Sequence, residues 1–441
     1  MKTILPVGVI FALIITTHVV SADSDIETIV RNDYKTYLGP LFRHFHKNPE
    51  LSLLEQETAK RMAKELRAAG FEVTERVGGT GVVAMMENGS GPLVMMRADM
   101  DGLPLEEKSG LPYASKAKQK SPITGNLVPV MHACGHDVHI TSLIGTARYM
   151  SRNKDSWQGT LMLIVQPAEE RIMGARMMME DKLWQRFGQP DYALAFHVAS
   201  MLPSNAINVI GGSTYAGSDS VDIIIHGVGT HGASPHAGKD PIVLGSQIVL
   251  ALQTLVSREL PPRDPGVVTV GSFHSGTKHN IISDRAHLQL TVRNTSLETR
   301  KLLLEGIKRI AVNLGRAAGL PEDKLPEVIY SKESTPPTLN DIELTDRLRT
   351  HWVKELGEER VLSYRSKGMG AEDFPYFTTD PKIPSVYFAV GGTPAGELKA
   401  ARNGGPQVPS HHSPLFKITP EPAVVTGTTA TVQALLHLMQ Q

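Results

Sequence analysis

Short apolar runs alternate along most of the chain with amphipathic stretches whose apolar residues recur at helical spacing. Residues 93–96, 159–166 and 191–198 are such apolar runs, and 55–70 and 420–439 are such amphipathic stretches. Buried strands alternating with helices are typical of a sheet covered by helices on its faces. We therefore predict an α/β fold for the larger part of the chain.

The pattern changes in the middle of the chain, beyond Gly211-Gly212. Six elements follow there in the order β-α-β-β-α-β, which is the order of a ferredoxin-like α+β sandwich of roughly 115 residues. Because the pattern on both sides is α/β, we interpret this region as an insertion. The predicted division is a leader at 1–22, a catalytic domain at 23–213 and 333–441, and an inserted domain at 214–332.

The first 22 residues differ from the rest. Lys2 precedes an almost wholly apolar run over 4–20, and Val20-Ser21-Ala22 has small residues before a possible cleavage point. This pattern predicts a secretory signal peptide and a secreted or periplasmic protein. An uncleaved membrane anchor is the alternative, although the run is short for a span. No later stretch has eighteen uncharged apolar residues, so we expect no stable membrane insertion after cleavage.

Composition narrows the classes of function. A length of 441 residues favours two domains, and 41% hydrophobic with 20% charged residues is typical of a globular protein. The 45 basic residues balance the 45 acidic residues, and no basic stripe or nucleic-acid motif is present. Binding to nucleic acid is therefore not expected.

The stretch from Met131 to Ile140 carries the strongest chemical signal. It holds Cys134, the only cysteine, together with His136 and His139. A thiolate and an imidazole two residues apart can bind one divalent metal, and Gly135 between them allows a tight turn. One cysteine cannot form a disulfide within the chain, so metal ligation explains it better than a free thiol.

Further polar residues follow the predicted strands, where open α/β sheets place their chemistry. Asp99 and Asp101 follow the first apolar run, although two aspartates before a glycine also suit a plain turn. Glu169-Glu170 follows the second, and adjacent carboxylates point in different directions, so that one can bind metal while its neighbour faces a substrate. His197 lies near the end of the third apolar run. A single histidine on an apolar strand can also be a core residue without a catalytic role.

Taken together, these motifs resemble the aminoacylase and carboxypeptidase-type metallopeptidases. The similar branch is that of the amidohydrolases, which includes hippurate hydrolases, N-acyl-amino-acid amidohydrolases and auxin-conjugate hydrolases. The resemblance implies a zinc-exopeptidase-like catalytic domain with a ferredoxin-like lid or dimerisation domain. The matching segments, in order, are Arg97 to Asp101, Ala133 to Asp137, Gln166 to Glu170, Phe196-His197, Gly229 to Ser234, Gly370 to Phe374 and His412-Ser413-Pro414.

The resemblance also implies roles for single residues. Glu169 is the expected general base, and Asp99 supports the metal ligands. His231 is expected to reach across a homodimer, formed through the inserted domain, and to polarise the scissile carbonyl. Asn280 and Arg293 are expected to bind the substrate carboxylate. The implied metal ligands, which suit two divalent ions of zinc, manganese, cobalt or nickel, are Cys134, His136, Glu170, His197 and His412.

The activity implied is metal-dependent hydrolysis of the amide bond of N-acyl or N-aroyl amino acids. A dipeptidase or carboxypeptidase could use the same site, and a non-catalytic binding protein would have lost a ligand or the base, which this chain has not. Ser283, Asn294 and the segment from Phe273 to Lys278 depart from the commonest family pattern. All lie in the inserted domain, so they leave the hydrolytic residues intact and put the identity of the substrate in question.

Overall fold

The computed structural model describes residues 25–365 and 368–440. The predicted signal peptide and its cleavage point lie outside these residues. The helices are α1 Ile26–Asp33, α2 Gly39–Lys47, α3 Gln56–Ala68, α4 His136–Arg152, α5 Gly174–Glu180, α6 Leu183–Phe187, α7 Pro241–Thr254, α8 Leu297–Ala317, α9 Ile342–Leu356, α10 Pro375–Thr378, α11 Ala395–Arg402 and α12 Pro420–Met439. The strands are β1 Glu72–Val77, β2 Gly81–Asn88, β3 Leu93–Asp99, β4 Lys118–Lys120, β5 Leu127–Pro129, β6 Gly159–Gln166, β7 Tyr192–Pro203, β8 Ile207–Asn208, β9 Gly212–Tyr215, β10 Gly217–His226, β11 Thr230–His231, β12 Gly266–Ser275, β13 Ile281–Ile282, β14 Arg285–Asn294, β15 Glu327–Tyr330, β16 Thr338–Asn340, β17 Val361–Leu362 and β18 Ser385–Thr393.

An eight-stranded sheet forms the larger part of the molecule, in the order β1-β2-β6-β3-β7-β18-β8-β17. Its centre, β6-β3-β7-β18, is parallel. Helices cover both faces: α4 and α12 pack on one apolar face, and α5, α6 and α10 pack on the other. The α/β prediction is confirmed, and the carboxyl ends of the central strands meet at one edge.

A separate four-stranded antiparallel sheet, ordered β12-β14-β10-β15, lies between β9 and β16 in the chain. It carries α7 and α8 and has an apolar core of its own. Its elements follow the predicted β-α-β-β-α-β order, and the strand order is that of a split βαβ sandwich. The exact limits of the inserted domain, 214 and 332, stay predictions.

Helix α7, which packs on the smaller sheet, has two apolar sides. Leu244, Ile248 and Leu252 face the core, whereas Val243 and Leu250 are exposed. As a result, among the described residues one helical segment, Pro241–Glu259, is long and apolar enough by length and composition to cross a membrane. The apolar side away from the core was not anticipated from the sequence.

Local backbone geometry sets the start of two helices. Helix α4 begins at His136, because Gly135 adopts a left-handed φ of 86° directly before it. Helix α9 begins at Ile342, since Asp341 caps it by accepting the Leu344 N–H at 2.9 Å, and Thr338–Asn340 pairs as a strand before it. The first boundary places His136 on the first turn of α4.

Candidate functional site

A cleft of about 450 Å³ opens at the carboxyl edge of the large sheet. Residues predicted from five separate parts of the sequence line it together. They are Cys134, Glu169, Glu170, His197, Arg293 and His412.

The loop before α4 brings its ligand candidates together by a close approach of backbone. A side chain at Gly135 would place its Cβ 2.3 Å from Cγ1 of Val198, so the loop can lie against β7 only with glycine there. This contact leaves the Cys134 sulfur 3.3 Å from Nε2 of His197. The turn and the strand thus converge on one point.

The turn after β6 separates the two glutamates. Ala168 takes a left-handed φ of 47°, an uncommon conformation for a residue other than glycine. The Glu170 carboxylate points towards His412, with 3.3 Å between Oε2 and Nε2, and lies 3.9 Å from His136. The neighbouring Glu169 is 6% exposed and lies 3.8 Å from Nε2 of His136.

The two C-terminal histidines have different partners. Nε2 of His411 lies 2.9 Å from the carbonyl oxygen of Val198, so this imidazole is hydrogen-bonded to the backbone. His412 is half-exposed, adopts a φ of 63° and faces Glu170. His412 is therefore the one that shares the cluster with the other ligand candidates.

This cluster suits divalent metal ions. Two groups of ligand atoms, in each of which the atoms lie within 4.8 Å of one another, share the cysteine: Cys134 with His136 and His197, and Cys134 with Glu170 and His412. Nε2 of His136 and Oε1 of Glu170 are buried without a hydrogen-bond partner among the described residues. Two groups of ligand atoms that share one thiol would suit a pair of divalent ions.

The electrostatics of the cleft require positive charge. Burial, with Glu170, Glu169 and Asp99 nearby, raises the pKa of the Cys134 thiol well above its usual value. A thiolate can form there only beside a cation, and a bound metal is the usual means of deprotonating such a thiol. Burial, with Glu372, Glu170 and Asp373 nearby, likewise raises the pKa of Glu169 well above its usual value.

His139 supports the site without offering a free nitrogen. Its Nδ1 lies 2.5 Å from Oδ1 of Asp99, and its Nε2 accepts the Val198 N–H at 2.9 Å. Burial lowers the pKa of His139 to about 3, so the ring is neutral. Asp99 thus orients His139 rather than a predicted ligand; its Oδ2 lies 3.7 Å from Nε2 of His136.

A fully buried ion cluster lies behind the cleft. The Arg97 guanidinium donates to Oδ2 of Asp99 at 2.7 Å, to Oε1 of Glu372 at 2.6 Å and to the side chain of Gln166 at 2.7 Å. Tyr387 donates to the same Glu372 at 2.6 Å. The cluster therefore joins β3, β6, β18 and the 372–374 turn, and it fixes the carboxylate that holds His139.

Two further carboxylates position the glutamate turn. Asp101 accepts the Glu170 N–H at 3.1 Å through Oδ2, while its Oδ1 lies 3.2 Å from Nδ1 of His136. Glu55 accepts the Ala168 N–H at 2.8 Å. Each one holds the backbone beside Glu169, and Asp101 also faces the far nitrogen of a ligand candidate, as supporting carboxylates of metal sites do.

Sequence reasoning missed Glu55, and it missed Ser52, whose hydroxyl donates to Asp101 at 2.6 Å. Both lie in the short connection before α3, and Glu55 was identified from the sequence only as the first residue of the amphipathic stretch 55–70. A buried acid at the start of a helix has no local signal that distinguishes it from a solvated one, since its partner is 113 residues away.

The three site residues predicted in the inserted domain lie at two different places in the structure. Arg293 on β14 lines the cleft. His231 and Asn280 are not among the residues that line it, but they lie beside each other: β11 pairs with β13, and Gly232 N–H donates to Asn280 O at 2.9 Å. Within one chain the structure therefore does not bring His231 to the glutamates.

Comparisons with known proteins agree with this geometry. A family model described as peptidase family M20/M25/M40 matches residues 95–403. The chain is 38% identical over 338 residues to a hippurate hydrolase of Campylobacter jejuni, covering 76% of this chain and 83% of the relative. It is 36% identical over 375 residues to thermostable carboxypeptidase 2 of Saccharolobus solfataricus, covering 83% and 89%.

A similar solved structure is that of the Bacillus subtilis YXEP protein, described as a dinuclear metal binding peptidase from the M20 family. It superimposes with a TM-score of 0.73 at 27% identity and covers 92% of this chain and 99% of that one. The resemblance inferred from the ordered motifs is thus confirmed. The chain belongs to peptidase family M20/M25/M40.

Proposed function

We propose that the protein hydrolyses the amide bond of N-acyl or N-aroyl amino acids and releases a carboxylic acid and a free amino acid. One observation carries this proposal: a buried carboxylate, Glu169, lies beside the ligand cluster while its neighbour Glu170 is turned into that cluster. A structural metal site needs no carboxylate besides its ligands, whereas hydrolysis by water needs a base next to the metal.

The residues of the site have separate roles in this reaction. Cys134, His136, Glu170, His197 and His412 would hold two divalent ions. When bound, the ions lower the pKa of a water molecule and polarise the carbonyl oxygen of the substrate. Glu169 removes a proton from the attacking water and passes it to the leaving nitrogen, which its raised pKa favours. The nucleophile is water, so no acyl-enzyme forms.

Arg293 binds the carboxylate of the amino-acid half. Its guanidinium is half-buried at the cleft wall and makes no ion pair with another residue of the described ranges. A partly desolvated arginine that faces a cleft is suited to a carboxylate through its two parallel donors.

The test is an assay of the purified protein, loaded in turn with zinc, manganese, cobalt or nickel, on N-acetyl- and N-benzoyl-amino acids and on dipeptides. We expect the acylated amino acids to be cleaved fastest, as measured by release of free amino acid. Faster cleavage of dipeptides would favour the second candidate, a dipeptidase or carboxypeptidase, which the similarity to a named carboxypeptidase supports. Absence of all cleavage in a metal-loaded protein would refute both.

Homodimerisation through the inserted domain would complete the site. The exposed side of α7 carries Val243 and Leu250, and β12 is an edge strand with Phe273 exposed. Exposed apolar surface beside an unpaired strand edge is typical of an interface. In the dimer, His231 of each protomer reaches the cleft of the other and donates to the carbonyl oxygen as charge develops there.

Complementation between two inactive variants tests this arrangement. Heterodimers of a Glu169→Gln protomer and a His231→Ala protomer, purified through two different tags, contain one intact site and one doubly defective site. We expect about half of the wild-type rate from them, and almost none from either homodimer. Heterodimers as inactive as the homodimers would show that His231 does not act across the interface.

The protein is further proposed to be exported, since the apolar leader precedes a globular chain. The mature N-terminus, expected at Asp23, can be determined by mass spectrometry of the protein from the producing cell. An N-terminus at residue 1 in the membrane fraction would instead indicate an anchor.

A further inference from the structure

The antiparallel hairpin of β4 and β5 forms a two-stranded sheet of its own, separate from the two larger sheets. Its base is fixed to the protein: Oε1 of Gln119 on β4 accepts the Leu51 N–H at 2.6 Å, and the Ser115 hydroxyl donates to Val130 O at 2.8 Å. Successive side chains of a strand point to opposite faces. Because Gln119 points towards the protein, the residues on either side of it point into solvent.

The exposed face of the hairpin is basic. Lys118 and Lys120 flank Gln119 and are exposed, as is Lys116 just before the strand. Within the described part of the chain, none of these three lysines forms an ion pair. The segment 108–136 contains four lysines and no aspartate or glutamate, so with neutral histidines its net charge is +4. Positive charge is therefore concentrated here, although the whole chain has equal numbers of basic and acidic residues.

The tip of the hairpin is apolar. Ile123 in the turn and Leu127 at the start of β5 are each 69% exposed, and Leu127 lies opposite Lys120 in the register of the two strands. The turn is closed by the Ser121 N–H, which donates to Asn126 O at 2.8 Å. Two large apolar side chains thus lie together at the far end of the hairpin, directly beyond the lysines.

This order of groups matches the layers of an anionic membrane surface. Lysine ammonium groups are attracted to lipid phosphates at the level of the headgroups, and apolar side chains a few ångströms further in are buried at the boundary with the acyl chains. A soluble polyanion would contact the lysines but would leave the two apolar side chains in water. Residues 116–129 also contain no arginine and no aromatic residue, the side chains that most often recognise nucleic-acid bases.

We propose that the β4–β5 hairpin attaches the protein reversibly to membranes that contain anionic phospholipids. Lys116, Lys118 and Lys120 bind the phosphate groups, and Ile123 and Leu127 enter the boundary between headgroups and acyl chains. The contact is peripheral and needs no membrane-spanning segment. It is a binding activity in addition to amide hydrolysis and does not depend on it.

The test is sedimentation of the purified protein with vesicles of phosphatidylcholine alone, or of equal parts phosphatidylcholine and phosphatidylglycerol. The protein begins at Asp23, the expected mature N-terminus, so that the apolar leader does not contribute to binding. One variant combines Lys118→Glu with Lys120→Glu, and a second combines Ile123→Ser with Leu127→Ser. All four positions are exposed, and circular dichroism of each variant checks that it is folded.

Each variant has a matched control elsewhere on the surface. Lys60→Glu combined with Lys354→Glu changes the net charge by the same amount at two exposed positions. Ile342→Ser removes an apolar side chain that is 65% exposed.

We expect the wild type to sediment with the anionic vesicles at low salt, to bind them less at high salt because the charges are screened, and not to bind the neutral vesicles. The double lysine variant should have a lipid partition coefficient about 30-fold lower or less. The double apolar variant should lose about tenfold or more, because the two side chains no longer gain from burial. Both controls should stay within about twofold of the wild type.

A wild type that does not bind the anionic vesicles would overturn the proposal, as would equal binding to neutral vesicles or equal losses in the hairpin variants and their controls. Binding that depends on Lys118 and Lys120 but is unchanged in the Ile123→Ser, Leu127→Ser variant would show recognition of charge alone. That result would point to a soluble polyanion and would also overturn the assignment of a membrane. None of these outcomes bears on the proposed hydrolysis, which is assayed without lipid.

Discussion

Replacement of Glu169 by glutamine is expected to lower the rate of amide hydrolysis about 10³-fold, because general acid-base catalysis typically contributes 10²–10⁴. Glutamine has nearly the same shape, but it cannot accept the proton of the attacking water. Burial, together with the nearby Glu372, Glu170 and Asp373, raises the pKa of this carboxylate and makes it a stronger base than an exposed glutamate.

The measurement is kcat on the best N-acyl amino acid, with metal content determined by elemental analysis. Glu169→Gln should keep its metal, since the ligand set is unchanged, and it should fold normally, because it removes one charge from a crowded set of carboxylates. Glu106→Gln, at an exposed position, is the matched control and should keep the wild-type rate. A metal-loaded Glu169→Gln protein with full activity would show that the base is another residue.

Replacement of Arg97 by methionine is expected to reduce the free energy of unfolding by about 3–5 kcal/mol, the usual effect of removing one partner from a buried ion pair. Arg97 is fully buried, and its loss leaves the carboxylates of Asp99 and Glu372 without their counter-ion. Denaturant unfolding should be measured in the presence of a chelator, so that metal binding does not contribute to the stability of either protein.

The pH dependence gives this prediction a second test. Burial opposes ionisation of Asp99, but Arg97 and the neighbouring histidines lower the pKa of Asp99 well below its usual value of about 3.8. The stabilisation is therefore present above pH 4 and is lost as the pH falls through the folded-state pKa. The difference between wild type and Arg97→Met should be constant near pH 7 and should narrow below pH 4.

Arg309→Met is the control for this experiment. Arg309 forms an ion pair with Glu259 in which both side chains are exposed, and such pairs contribute about 0–1 kcal/mol. A loss at Arg97 no larger than the loss at Arg309 would mean that the buried cluster is not held together by its arginine.

Four of the five ligand candidates could be found from sequence because each sits beside a local signal. Cys134 and His136 flank a glycine, and Glu169-Glu170 and His197 follow or end strands that are recognisable as apolar runs. Parallel strands bring their carboxyl ends to one edge, so residues far apart in sequence could be expected to meet. The preference for His412 over His411 came from the family motif alone and had no local physical basis.

The supporting residues could not be found in this way. Glu55 and Ser52 act through partners 113 and 49 residues away, and nothing near them in sequence distinguishes them from surface residues. The order of the strands beside the cleft, in which β18 pairs with both β7 and β8, could not be predicted either, because strand neighbours in a sheet are not encoded by local pattern. The same limit applies to Asp99, which was expected to support the metal ligands and whose closest histidine is His139.

The insertion between β9 and β16 has a consequence for synthesis on the ribosome. β7 ends at Pro203, but its neighbour β18 begins at Ser385. At translation rates of about 5–20 residues per second, β7 waits roughly 10–40 s for that partner. During this interval its apolar edge is open to association with other chains, whereas the four-stranded sheet is complete once β15 has emerged, before β18 is synthesised. Correct assembly of the active site therefore depends on how well the nascent chain is protected until its last quarter has emerged.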